Sequence, residues 1–226
     1  MKSHFLTLIS ILFMTSNTLA QNDTIIYIGD PLCSWCYGFA DEIQKIKDDN
    51  AANYEFKVVI GGLRPYNTET MADLGDFLKH HWEQVSERSG QEFNYDIIQD
   101  KSFVYDTEPP ARAVWVMREL KPENEFPFFK DVQKLFYEDN ENTNQIESYK
   151  ELVEKHGVDF KVFSELFNST DARLGIKQDF ELSGQLGVKG FPSVVLKKGS
   201  EYFLIANGYN TAENLQKIID KIDTGK

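Results

Sequence analysis

The only two cysteines of the chain lie three positions apart, in Cys33-Ser34-Trp35-Cys36. The β-prone run Ile25–Ile28 and a short turn precede them, and a helical spacing of apolar residues follows them, at Cys36, Phe39, Ala40, Ile43 and Ile46. The pair is therefore predicted at the start of a helix that directly follows a strand. A helix N-terminus favours negative charge and stabilises a thiolate, the reactive form of cysteine. This order of elements indicates a redox pair rather than a zinc site.

Two structural roles of the pair stay open. A disulfide within the motif would close a very short loop and contribute about 2 kcal/mol or less through the entropy of the unfolded chain. A closed zinc site needs four ligands, and the chain has neither a second CxxC nor histidines at zinc-finger spacing. A metal site assembled in space from Cys33, Cys36 and a distant histidine remains an alternative. We expect no metal and no cofactor besides the redox-active pair itself.

Residues 1–20 resemble a secretory signal. Lys2 supplies a positive charge, Phe5–Met14 forms a short apolar stretch, and Thr18–Ala20 resembles a cleavage site for a signal peptidase. The apolar stretch is short for a membrane span, although an uncleaved anchor is the alternative. We therefore expect a periplasmic or otherwise extracytoplasmic protein without stable membrane insertion, in a compartment where disulfides persist.

The charge balance restricts the class of partner. The chain of 226 residues carries 36 acidic and 24 basic side chains, for a formal net charge of −12. Such an acidic chain is not expected to bind nucleic acid. A pair of thiols with no other cysteines in an exported chain suggests that the pair acts on other proteins.

The β pattern is confined to the two ends of the chain. Tyr54–Ile60 predicts a second strand near the N-terminal end, and Val194–Leu196 with Tyr202–Ile205 predicts a hairpin near the C-terminal end. A last helix follows, which Thr211 can cap. We therefore predict one α/β domain built from residues 21–62 and 188–226.

A helical block is predicted between these two segments, over residues 63–187. Its helices are expected at Glu69–Ser89, Pro109–Leu120, Phe126–Tyr137, Ile146–Lys155, Phe160–Phe167 and Ala172–Leu186. Asp106 or Thr107 is the expected cap of the second helix. The stretch from Gln91 to Glu108 shows no clear pattern.

Gly190-Phe191-Pro192-Ser193 is the second stretch with a possible role in binding. A proline that opens a strand is conspicuous. A trans bond is the more frequent state of an X–Pro pair, but the upstream CxxC favours a cis bond here. A cis Pro192 would turn the N–H and C=O of Phe191 outward, where they could pair with an extended peptide.

These stretches together resemble the DsbA-type branch of the thioredoxin superfamily. The resemblance includes the CxxC after a strand, Gly61-Gly62 after the next strand, the helical insertion, and Gly190-Phe191-Pro192 before the final hairpin. Asp30–Phe39 and Gly61–Pro65 are similar to a subgroup described as predicted protein-disulfide isomerases. The resemblance covers nearly the whole chain after the leader.

The resemblance implies a thioredoxin-like fold with a helical insertion, and thiol–disulfide exchange as the activity. It implies that Cys33 attacks, that Cys36 resolves, and that Trp35, Phe191 and a cis Pro192 contact the substrate. The partners would be proteins with thiols or disulfides and an unidentified redox partner. Asp30, Tyr37 and Arg64 are candidate neighbours of the pair, and the alternative is that Tyr37 packs in the core and Arg64 is solvated.

The residue before the second cysteine departs from the family pattern. DsbA and the eukaryotic disulfide isomerases have histidine there, whereas this chain has Trp35, which brings no charge. The direction of the reaction, as oxidase, reductase or isomerase, therefore stays open. The alternative functions are a thiol-based metal carrier and a chaperone-like peptide-binding protein.

Overall fold

The computed structural model describes residues 23–225, so the predicted leader at residues 1–20 lies outside the described residues. Four strands form one sheet in the order β2-β1-β3-β4. β1 is parallel to β2 and antiparallel to β3, and β3 is antiparallel to β4. The strands are β1 (Thr24–Gly29), β2 (Glu55–Ile60), β3 (Ser193–Lys198) and β4 (Glu201–Asn207).

Most of the described chain is helical, and seven of its helices lie between β2 and β3. The helices are α1 (Ser34–Gly38), α2 (Ala40–Asp49), α3 (Met71–Ser89), α4 (Asp96–Gln99), α5 (Glu108–Leu120), α6 (Glu125–Tyr137), α7 (Lys150–Lys155), α8 (Phe160–Phe167), α9 (Thr170–Gln185) and α10 (Ala212–Thr224). No helix within residues 23–225 is long and apolar enough to cross a membrane. The predicted α/β, thioredoxin-like fold with a helical insertion is confirmed.

The segment after the cysteine motif forms two helices, although the apolar spacing predicts one. α1 ends at Gly38, and the Phe39 backbone (φ −89°, ψ −5°) separates it from α2. A Cβ on Gly38 would lie 2.5 Å from a methyl group of Val85. α1 and α3 therefore approach closely at this glycine, and the short α1 is fixed by that packing as well as by the chain on either side.

Side-chain oxygens at two predicted helix starts satisfy free N–H groups. Thr211 accepts from Asn214 N at the start of α10, as expected. At the start of α5, the Asp106 carboxylate accepts from Glu108 N at 2.9 Å. The Thr107 hydroxyl instead accepts from Arg64 N at 3.0 Å, so of the two expected caps Asp106 is the one that serves α5.

The hydrophobic core on one face of the sheet is larger than the cluster on the other face. β1 alternates, so that Ile25 and Tyr27 face the main core and Ile26 and Ile28 face the opposite side. The main core joins the sheet to α2, α10 and the helical block. The opposite face carries a smaller cluster that includes Phe191.

The segment between α3 and α5, which has no clear sequence pattern, is ordered by burial. It contains the single turn α4, and Val104 forms an isolated bridge with Thr70. Its apolar side chains form a cluster with residues of α1, α3 and α6. This cluster surrounds the outer side of the cysteine motif and contains Ile97, Ile98, Phe103 and Tyr105.

Candidate active site

The cysteine motif lies at the carboxyl end of the central strand β1. Cys33 occupies the N-cap position of α1, and its N–H donates to the Asp30 carbonyl at 3.0 Å. Both cysteines are unbridged. Cys33 is 5% exposed, whereas Cys36, one turn further along, is 0% exposed. A substrate that approaches from solvent therefore meets the Cys33 sulfur first.

The loop before β3 covers Cys33. The Phe191–Pro192 bond is cis, as expected from the sequence, and Pro192 is buried. The Cys33 Sγ donates to the Phe191 carbonyl at 3.7 Å. The sequence predicts that this carbonyl is free, but in this structure it accepts a hydrogen bond from the Cys33 thiol. A peptide N–H that binds the Phe191 carbonyl would therefore have to replace the thiol as the donor.

Two glycines at the end of β2 make room for aromatic rings. A Cβ on Gly61 would lie 2.2 Å from the ring of Phe191, and one on Gly62 would lie 2.7 Å from the ring of Phe180. Gly62 also has a positive φ of 70°, which favours glycine. The Gly61-Gly62 pair thus sets the position of the Phe191 loop over the cysteines.

Trp35 lies at the rim of the site, half-buried. Its ring centroid is 6.1 Å from that of Tyr209, which lies in the loop between β4 and α10. The Arg88 guanidinium lies 5.3 Å from the same Tyr209 ring, and the Tyr209 hydroxyl donates to Glu42 Oε1 at 3.3 Å. Trp35 and Tyr209 therefore form one aromatic surface beside the cysteine pair.

Three buried tyrosines lie behind the motif. The hydroxyls of Tyr105 and Tyr137 both donate to the Leu32 carbonyl, the latter at 2.6 Å. Tyr27 on β1 is fully buried, and its hydroxyl is a neighbour of the Cys36 thiol. Burial is the main cause that raises the pKa of Cys36 well above its usual value. A thiol in this position stays protonated unless a partner stabilises its thiolate.

Of the other expected neighbours, Asp30 lies directly at the motif, whereas Arg64 and Tyr37 are engaged elsewhere. Arg64 pairs with Glu69. The Tyr37 hydroxyl donates to Glu138 Oε1 at 2.7 Å, so this side chain points away from the sulfurs. No group of three or more His, Cys, Asp or Glu side chains that could hold a metal is found among residues 23–225.

Comparisons with known proteins agree with this geometry. The family model described as thioredoxin matches residues 26–216, which is most of the chain. The chain belongs to the thioredoxin family. A search of curated protein sequences finds no match.

Solved structures similar to this thioredoxin-family protein include a candidate protein disulfide isomerase from Nitrosomonas europaea. It is 32% identical, with a TM-score of 0.84, and the match covers 91% of this chain and 100% of that one. The cytosolic disulfide reductase DsbM from Pseudomonas aeruginosa is 19% identical, with a TM-score of 0.71 and coverage of 90% and 100%. DsbA from Xylella fastidiosa is 14% identical, with a TM-score of 0.60 and coverage of 91% and 87%. The predicted membership of the thioredoxin superfamily is confirmed, and the DsbA structure shares the fold.

The thioredoxin-family site contains residues that sequence reasoning did not single out. Tyr27, Tyr105 and Tyr137 reach the motif from β1, from an irregular segment and from α6, and Tyr209 reaches it from a loop. Of these four, only Tyr27 could have been identified from its position in the sequence, because it lies on the strand that leads into the motif. The family and the CxxC pair support thiol–disulfide exchange as the chemistry of this site.

Asp30 is the acidic residue buried at the thioredoxin-family site. Its carboxylate accepts from Leu32 N at 2.9 Å and from Leu63 N at 2.8 Å, so it ties the cysteine loop to the end of β2. Burial raises the pKa of this carboxyl from 3.8 to about 6, although both N–H groups lower it.

The raised pKa of Asp30 predicts a loss of stability as pH rises. Between about pH 4 and about pH 6 the unfolded chain has released this proton and the folded chain still holds it, so ionisation favours unfolding. A shift of about 2 units corresponds to about 3 kcal/mol. Urea unfolding across this range should show the decrease in the wild type and not in Asp30→Asn. Parallel stability curves for the two proteins would contradict the assignment.

Proposed function

We propose that the protein is an exported thiol:disulfide oxidoreductase or isomerase that exchanges disulfides with protein substrates. One observation carries the proposal: Cys33 is the more exposed of the two cysteines, at 5% against 0% for Cys36, and its thiol lies against the Phe191 carbonyl, where a peptide could bind. A structural disulfide would not require a binding loop over one sulfur.

The proposed reaction passes through a mixed disulfide on Cys33. In the reducing direction, the Cys33 thiolate attacks a substrate disulfide, and one substrate sulfur leaves as a thiolate that takes a proton from water. Cys36 then loses its proton to solvent and attacks the Cys33 sulfur. The Cys33–Cys36 disulfide forms, the bond to the substrate breaks, and the substrate is released reduced. The oxidising direction is the reverse sequence.

The proposed substrate is an extended segment of another protein. Trp35 and Tyr209 offer an aromatic surface beside the cysteine pair, and the Phe191 carbonyl lies against the Cys33 thiol. Among residues 23–225, no acceptor is found for the Phe191 N–H, so it can donate to a peptide carbonyl. The backbone supplies affinity in this mode, and the substrate sequence matters little.

Export is proposed from residues 1–20 alone. The neighbour DsbM is described as cytosolic, so the proposal does not follow from the family. Expression of the full chain in a Gram-negative host, followed by fractionation and N-terminal sequencing, tests it. We expect a periplasmic protein that begins near Gln21, and a cytosolic protein that retains Met1 would contradict the proposal.

We expect a reduction potential between that of thioredoxin, about −270 mV, and that of DsbA, about −120 mV. Trp35 brings no charge to stabilise a thiolate, so the reduced form gains less than it does in DsbA. Equilibration with glutathione measures the potential. Trp35→His should make the couple more oxidising, and Trp35→Phe is the matched control. A wild-type potential at or above that of DsbA would identify a dedicated oxidase.

Thiol titration and elemental analysis of the purified protein distinguish disulfide exchange from metal carriage and from peptide binding. Thiol titration should find two reactive thiols after reduction and none after oxidation, and elemental analysis should find less than one equivalent of metal. One bound metal ion per chain with both thiols protected would favour a metal carrier. Peptide binding that persists without any exchange would favour a chaperone.

A further inference from the structure

The hydroxyl of Tyr27 is a buried polar group without a partner. Tyr27 is 0% exposed, and its hydroxyl oxygen has no hydrogen-bond partner in the described part of the chain. Aromatic rings surround the side chain, with centroids 6.1 Å away at Phe39, 6.0 Å at Phe126 and 5.7 Å at Phe129. A buried hydroxyl without a hydrogen bond destabilises the fold, and such an exception calls for an explanation, of which a catalytic role is one.

This hydroxyl lies beside the end of β1 that leads into the cysteine motif. A Cβ on Gly29 would lie 2.6 Å from the Tyr27 oxygen, so the absence of a side chain at Gly29 makes the space that the hydroxyl occupies. The Tyr27 ring lies 6.1 Å from the ring of Phe39, which follows Cys36 by three positions, and Cys36 is the titratable group that most affects the Tyr27 hydroxyl. The hydroxyl therefore lies close to the second cysteine of the pair.

The other polar groups that face this region are engaged. The Tyr105 and Tyr137 hydroxyls donate to the Leu32 carbonyl. The Asp30 carboxylate accepts from two backbone N–H groups, and the Cys33 thiol donates to the Phe191 loop. Of these groups, the Tyr27 hydroxyl is the one that donates to no acceptor. Its proton becomes available to Cys36 when that thiol ionises.

Cys36 must become a thiolate to resolve a mixed disulfide, because the thiolate is the nucleophile in exchange. Its burial opposes this ionisation. Burial also raises the pKa of Tyr27 well above its usual value, so the tyrosine keeps its proton and acts as a donor, not as a base.

We propose that Tyr27 is a catalytic residue of the resolving step, and that its hydroxyl donates a hydrogen bond to the Cys36 thiolate. In this step the Cys36 proton goes to solvent, the Cys36–Cys33 bond forms, the bond from Cys33 to the substrate breaks, and the substrate thiolate takes a proton from water. Tyr27 is unchanged at the end. The proposal rests on the proposed exchange function.

The first test follows the lifetime of the mixed disulfide between Cys33 and a small substrate peptide. Tyr27→Phe keeps the ring packing and removes only the hydroxyl. Loss of one hydrogen bond to a charged group should slow resolution about 10- to 100-fold, while the alkylation rate of Cys33 stays at the wild-type value. Tyr149→Phe is the control, because Tyr149 is equally buried and donates to the Thr143 carbonyl, away from the motif.

The second test does not depend on exchange. In a Cys33→Ser background, ultraviolet absorbance of the thiolate reports the pKa of Cys36 alone. Adding Tyr27→Phe should raise this pKa, and adding Tyr149→Phe should leave it unchanged. A Cys36 pKa that is unaffected by Tyr27→Phe, or an unchanged rate of resolution, would overturn the role of Tyr27 while the exchange function stands. A wild-type protein that forms no mixed disulfide would overturn the exchange function itself.

Discussion

Cys33→Ser is expected to abolish thiol–disulfide exchange, whereas Cys36→Ser should still react once and then accumulate as a mixed disulfide. The reason is the unequal exposure of the two residues: Cys33, at the helix N-cap, is 5% exposed, and Cys36 is fully buried. Serine is not a useful nucleophile in exchange, so the first variant loses the attacking group. The second loses only the group that releases the substrate.

Insulin reduction and refolding of a scrambled disulfide protein measure the loss of activity. Mass spectrometry of the trapped species identifies the residue that carries the substrate. Ser34→Ala is a suitable control, because it alters the motif without removing a sulfur. Adducts on Cys36 in the Cys33→Ser variant at the wild-type rate would reverse the assigned roles.

Gly61→Ala is expected to destabilise the fold and to slow exchange, although the substitution adds only one methyl group. That methyl would lie 2.2 Å from the ring of Phe191, so the ring and its loop must move. Overpacking of this kind costs about 1–3 kcal/mol. The movement would also displace the Phe191 carbonyl from the Cys33 sulfur and disturb the peptide-binding edge.

Gly190→Ala is the matched control, since the added methyl there would come no closer than 3.8 Å to the Asn207 side chain. Urea unfolding and initial rates of exchange should separate the two alanine variants clearly. The double variant Gly61→Ala/Phe191→Leu, in which a smaller side chain replaces the Phe191 ring, should regain part of the lost stability. Equal effects of the two alanines would show that the ring contact does not position the loop.

The parts of the fold that sequence predicts are those with a local signal. The strand before the motif and the last helix with its Thr211 cap follow from side-chain periodicity and capping chemistry. The break at Phe39 does not, because it coincides with close packing of Gly38 against α3, which lies far along the chain. Periodicity reports which face is buried but not which partner buries it.

The same distinction applies to the site. Cys33, Cys36 and Pro192 carry their chemistry in short motifs, so sequence identifies them. Tyr209 approaches Trp35 only because the fold brings the loop between β4 and α10 next to α1, which is far away along the chain. The segment 91–108 has no pattern because its order comes from burial against α1, α3 and α6, and burial of this kind is visible only in three dimensions.

The central position of β1 has a consequence for how the protein matures. Its partner β2 follows soon after it, but β3, which completes its other side, begins only at Ser193. The Cys33 sulfur and the carbonyl that covers it are 158 positions apart. Contacts of this span raise contact order and form late in folding.

Synthesis from the N-terminus therefore exposes the open edge of β1 and both thiols well before β3 is available. An unpaired central strand is a template for association with other chains. Until its last two strands are complete, the chain is therefore prone to associate with other chains through β1, and its two thiols lack the loop that later covers Cys33.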